Sequence, residues 1–253
     1  WGAFAEADLM YEVDRIATGS QEPTLAEMTK KAIDILSKDK DGFFLMVEGS
    51  KVDWAAHAND TVGMVGDILA YDDAVGVALE FAKKDGHTVV ISSSDHGTGG
   101  PIIGGVASNY SSITFNESIN KLLSARISLD YANELLEGAD EARVREIYAE
   151  YFGITDPTGE EIALALEGRI NEVISARANI TWAYGGHIGG DVGLYVYAPK
   201  GAEKLGGVLD NTEVGRYMER VLGLNLDSTS RRLFVNAKEA FEGKGAEVTI
   251  DAS

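Results

Sequence analysis

Between Phe43 and Gly97 the chain twice passes through an apolar run too short for a helix and emerges on side chains that bind metals. The first run, Phe43-Phe44-Leu45-Met46-Val47, ends on Glu48, with Asp53 five residues later and His57 four beyond that. The second, Thr88-Val89-Val90-Ile91-Ser92, leads through Ser93 and Ser94 to Asp95-His96-Gly97. Short apolar runs bounded by turn residues predict strands, and in an open α/β sheet ligands bind just beyond the carboxyl ends of the strands. Two strands ending this way aim Glu48, Asp53, His57, Asp95 and His96 toward one crevice.

The residue types fit a metal. Zinc takes imidazole nitrogen and carboxylate oxygen, and a catalytic zinc site keeps one position open. If the segment after Glu48 is helical, Asp53 and His57 share a face. Adjacent Asp95 and His96 can meet one ion only from irregular backbone, because neighbours in a strand point to opposite faces. Taken singly, each piece has an ordinary structural explanation: a solvated helix pair, a turn with its cap, a carboxylate at a helix start. The combination is informative because the chain has four histidines in 253 residues.

Composition narrows the rest. The length suits one α/β domain, or one domain with an insert. A formal charge of −19 argues against nucleic acid, whose binding rests on neutralising phosphates. It would also repel an anionic ester unless bound cations reverse the local field. With no cysteine there is no disulfide or thiolate site, and no apolar run approaches the length of a membrane span.

In order along the chain, Thr24-Leu25-Ala26-Glu27 is a capping box opening a helix to Ser37. Asp60 can cap a helix whose buried face would be Val62, Val65, Leu69, Val75 and Leu79. His87 falls in the entry turn of the second strand, at the wrong end for a site. Gly99, Gly100, Gly104 and Gly105 form an exit into a helix-rich block. That block carries helices over 115–124 and 129–136, one capped by Asp140, and one opened by the box Thr158-Gly159-Glu160-Glu161 and running through Ile174. A strand over 193–198 and a helix over 211–222 follow. Asp227 to Ser230 is a polar loop, and 231–235 and 247–250 are short strands.

Several of these segments together resemble the alkaline phosphatase family. They are Gly42 to Gly49, Asp53 and His57, Asp72-Asp73-Ala74-Val75 leading to Phe81-Ala82, Asp95-His96, and Gly185-Gly186-His187 followed by Asp191-Val192 and Leu194 to Pro199. The resemblance runs from about Asp8 to Leu224, interrupted by the helical block. It implies part of a three-layer αβα sandwich with a helical insertion. Residues 1–97 would form the first part of the catalytic core, 98–180 a crown- or lid-like insertion, and 181–253 the last part. The insertion is read as an appendage or oligomer contact in preference to a substrate lid.

The resemblance also implies two zinc ions and one magnesium around a serine nucleophile, hydrolysing phosphate monoesters through a phosphoserine. Carried over residue by residue, Asp53, His57 and His187 match one zinc's ligands, Asp95 and His96 two ligands of the second, and Glu48 a magnesium ligand. The family's nucleophile turn, bridging aspartate and phosphate-binding arginine should precede these motifs and are not found. Asp227-Ser228-Thr229 comes too late to replace them. The chain thus resembles a C-terminal half, expected to need its N-terminal half and to be inactive alone. A homodimer and a periplasmic or extracellular location are family expectations, and any targeting segment is expected upstream of Trp1. The alternatives are another superfamily phosphotransferase or phosphodiesterase, and a non-catalytic zinc-binding fragment.

Overall fold

The computed structural model describes residues 1–104 and 115–249, so Gly105 and Ile250 lie outside the described residues. The chain divides into two compact units, Trp1–Tyr195 and Val196–Ser253.

The first unit opens with α1 (Glu12–Thr18) and α2 (Leu25–Leu36), the latter on the expected box, in which Thr24 Oγ1 and Glu27 satisfy each other's backbone N–H. Helices α3 (Ser50–His57) and α4 (Thr61–Asp85) follow, and α1, α2 and α3 all pack on α4. Asp60 caps α4 as its sequence position predicts, accepting from Val62 N at 2.8 Å and Gly63 N at 2.9 Å. The expected buried face of α4 is only partly realised. Val62 is buried, whereas Val65 and Leu69 are exposed and small residues, Ala74 and Ala82, are buried in their stead.

The first expected strand does not form. Residues 43–47 show the alternating burial of a strand, Phe44 and Met46 being 59% and 74% exposed between half-buried neighbours. They have no ladder, because no described strand lies beside them to take up their backbone groups. The second run gives β1 (Val90–Ser93), followed by β2 (Gly97–Thr98) and β3 (Pro101–Ile103).

The helical block comprises α5 (Phe115–Leu123), α6 (Leu129–Leu136), α7 (Glu141–Phe152), α8 (Gly159–Leu166) and α9 (Ile170–Arg177). The single helix expected from Thr158 to Ile174 is two, broken where Gly168 takes φ +74°, a conformation glycine adopts at no steric cost. Helices α6 to α9 enclose the main apolar cluster, in which Val144, Ile147, Tyr148 and Ile170 are fully buried. Tyr148 donates to Glu161 O at 2.9 Å. Arg177 pairs with the Glu161 carboxylate at 2.6 Å and holds its pKa down to about 2. Thr158 completes the capping box on α8, so Thr158→Ala is expected to cost about 1 kcal/mol, read as a lower urea midpoint at unchanged slope.

From α9 the chain enters β4 (Ile180–Trp182), β5 (His187–Ile188) and β6 (Leu194–Tyr197), the strand in which the first unit ends. The described strands make three two-stranded sheets: β1 with β6, β2 antiparallel to β5, and β3 antiparallel to β4.

In the second unit, α10 (Asn211–Val221) buries Tyr217, whose hydroxyl donates to Glu203 O at 2.7 Å. Here three expectations fail. Asp227 to Ser230 lies on α11 (Leu226–Leu233), whose Asn225 cap accepts from Ser228 N, so neither the loop nor the strand over 231–235 is present. Residues 247–249 form no strand. The final helix is α12 (Ala237–Glu242). Among the described residues no helix is long and apolar enough to cross a membrane.

Candidate metal centre

Helix α3 is about two turns of backbone after Gly49, and its i, i+4 spacing sets Asp53 and His57 side by side, Oδ2 to Nε2 at 3.5 Å. The third residue arrives from 130 positions away. In the β2–β5 ladder Thr98 lies opposite His187, and His187 Nε2 comes within 3.2 Å of His57 Nε2. Ligand atoms of Asp53, His57 and His187 all lie within 4.8 Å of one another, on half-exposed to exposed side chains.

The donor set fits a divalent ion of the zinc class. Tetrahedral zinc at roughly 2.0–2.2 Å from its ligands puts neighbouring ligand atoms about 3.3–3.6 Å apart. The two measured separations fall close to that range. Ring nitrogens this near each other also call for a cation or proton between them. His57 Nδ1 lies 2.8 Å from Gly185 O. A carbonyl only accepts, so that nitrogen carries the proton and Nε2 is left as the free lone pair, the tautomer a ligand needs.

Two residues that sequence reasoning passed over hold this arrangement. Thr98 Oγ1 donates to Asp53 Oδ1 at 2.7 Å and sits 3.1 Å from His96 Nδ1. Asn59, just past α3, has φ +54°. With its amide nitrogen facing carbonyl oxygens it donates to Tyr184 O at 3.1 Å and Ala56 O at 3.3 Å. Asparagine beside a helix-capping aspartate was the one sequence signal available; Thr98 gave none.

The other expected ligands are placed differently. His96 stacks on the His187 ring with centroids 3.6 Å apart, and its Nε2 is 3.4 Å from Asp95 Oδ2. The Asp95 side chain is 88% exposed. Glu48 is exposed and lines a separate hollow with Asp8, Lys51, Trp54 and Asp67. Among the described residues neither Asp95, His96 nor Glu48 joins the three-ligand group. His87 is exposed and bonded locally to Asp85, at the start of the run that leads into β1 and away from Asp95.

A family profile described as alkaline phosphatase matches residues 1–224. Alkaline phosphatase 3 of Bacillus subtilis is 35% identical over 236 residues, 89% of this chain and 49% of its own length. The chain thus spans about half the length of the curated relatives it matches. The crystal structure of Thermus thermophilus alkaline phosphatase superposes with a TM-score of 0.77 at 27% identity, covering 89% of this chain and 53% of that one. A variant of TAB5 alkaline phosphatase, determined with Mg bound in its M3 site, gives 0.50 at 28% identity over 83% and 44%.

Proposed function

The chain belongs to the alkaline phosphatase family, and on that footing we propose that it serves metal-dependent hydrolysis of phosphate monoesters by holding a zinc ion on Asp53, His57 and His187. The observation that carries this reading is that three donors from α3 and β5 lie within 4.8 Å of one another, with the Asp53–His57 and His57–His187 separations close to those a zinc ion imposes. A metal bound there supplies Lewis-acid polarisation of a phosphoryl oxygen and a water of lowered pKa. The chain's own residues orient the donors. Thr98 occupies Asp53 Oδ1 and leaves Oδ2 toward His57, while Gly185 O fixes the His57 proton away from the site.

Asp95 and His96 are proposed as two ligands of a second zinc, a role their 3.4 Å separation suits. Glu48 is proposed as one ligand of a magnesium ion, which the Mg-bound TAB5 variant supports by analogy. The remaining ligands and the serine nucleophile are proposed to come from outside these 253 residues. Asp227-Ser228 lies within a helix instead of at a strand-to-helix turn, and the relatives are about twice as long. A periplasmic or extracellular setting, a homodimer, and a role for residues 98–180 as an appendage or subunit contact belong to the same proposal.

The test is hydrolysis of p-nitrophenyl phosphate at alkaline pH with zinc and magnesium. Turnover is expected when this chain is combined with a polypeptide carrying the other half, and none from this chain alone. Metal-dependent turnover by the pure single chain, lost in Asp95→Ala, overturns the proposed division.

A further inference from the structure

We infer that Asn59 is a positioning residue, fixing the distance between His57 and His187 through its side-chain amide; this rests on the reading of those histidines as zinc ligands. Helix α3 ends at His57, with Ala58 as its cap, in a Schellman motif in which Asp60 N bonds to Ala55 O at 2.8 Å and Asn59 N to Ala56 O at 3.2 Å. The motif needs a left-handed residue after the cap, normally glycine and sometimes asparagine. Asn59 meets that need with its backbone, at φ +54°. Its side chain does something glycine cannot, reaching across to Tyr184 O.

Tyr184 opens the segment that carries His187. Its carbonyl takes the Asn59 proton, the next carbonyl takes the His57 Nδ1 proton, and its hydroxyl donates to His187 O. The segment is already fastened to the β2–β3 turn, with Gly99 N donating to Gly186 O and Ala183 N to Gly99 O, each at 2.9 Å. Asn59 therefore locates this fastened block against the end of α3. The approach is close: a Cβ on Gly185 would stand 3.0 Å from His57 O. Two other links between α3 and the block, Thr98 to Asp53 and His57 to Gly185, use the ligand side chains themselves. Asn59 holds the same junction without touching a donor atom of the site. Gly185 and Gly186 lend the segment no stiffness of their own, so without the amide the His187 ring loses its fixed reach to His57.

The experiment uses the 253-residue chain, with zinc affinity measured by competition with a chromophoric chelator and His57 protonation followed in long-range 1H–15N spectra of the metal-free protein. Asn59→Gly keeps the left-handed backbone and removes the amide; Asn59→Asp keeps the shape and turns both donors into acceptors facing carbonyl oxygens. Both are expected to weaken zinc binding by about 10–100-fold, as losing an outer-shell partner does, and to reduce the Nδ1-protonated form of His57. Zinc binding by Asn59→Gly equal to that of the parent shows that only the backbone conformation matters and overturns the inference. If Asn59→Asp does not fold, Asn59→Gly decides alone. If the parent chain takes up no zinc, the metal reading fails, and an unchanged His57 tautomer in Asn59→Gly removes the positioning role as well.

Discussion

His187→Ala is expected to abolish zinc uptake at this site, with a loss of affinity well beyond the roughly 10–100-fold that follows removal of an outer-shell partner. The reason is the count of donors. Asp53 and His57 share one face of a short helix, and without His187 they offer two neighbouring ligands to an ion that prefers four. His57 Nε2 would also lose its imidazole neighbour at 3.2 Å. His87→Gln is the control. Among the described residues that imidazole bonds within its own turn, to Asp85, and its loss should leave zinc stoichiometry untouched. Competition with a chelating dye and metal analysis after gel filtration read both variants. Parent-like zinc content in His187→Ala, or a loss in His87→Gln equal to that in His96→Gln, is incompatible with the assignment.

The sequence made local chemistry visible and left long-range chemistry hidden. The caps at Thr24, Asp60, Asp140 and Thr158 are written in a few adjacent residues, and each side chain satisfies an N–H two or three residues on. Asp53 and His57 were legible for the same reason, since helical spacing alone pairs them. His187 was not. Nothing within ten residues of it reveals that Thr98 will stand opposite, and only the family resemblance placed it in the set. Strand reading failed at 43–47, where the apolar pattern is present and a pairing partner is not among the described residues. It failed again at 231–235, where a run suited to a short strand became the end of α11 because Asn225 starts a helix upstream. Periodicity reports which face a residue wants to bury; it does not report whether a ladder or a cap will claim the backbone.

Asp60→Ala is expected to destabilise the first unit by roughly 3–5 kcal/mol, since each buried N–H left unpaired costs about 1–3 kcal/mol. A chain of ordinary stability, about 5–15 kcal/mol, would lose a large share of it. Asp60 is fully buried, and its two oxygens serve different parts of the unit. Oδ1 accepts from Val62 N and Gly63 N and so starts α4, while Oδ2 accepts from Leu129 N at 2.7 Å and holds the start of α6. Asp14 takes the adjacent Ser128 N and Oγ at 2.7 and 2.6 Å, so two carboxylates seat the helical block on α1 and the start of α4. The penalty should depend on pH. Burial pushes the Asp60 carboxyl up to about 7, against the three N–H donors that lower it, and pushes Asp67 up to about 6. Between about pH 4, where an unfolded aspartate ionises, and about pH 7 the native chain keeps protons that the unfolded chain has released, so stability falls as pH rises through that window. Asp60→Ala lacks that contribution, and its urea midpoint should approach the parent's on going from about pH 5 to about pH 8. A difference from the parent that widens with pH, or a penalty below about 1 kcal/mol, the size of a lone surface cap, would mean that Asp60 does not join the two helices in the way its three hydrogen bonds indicate.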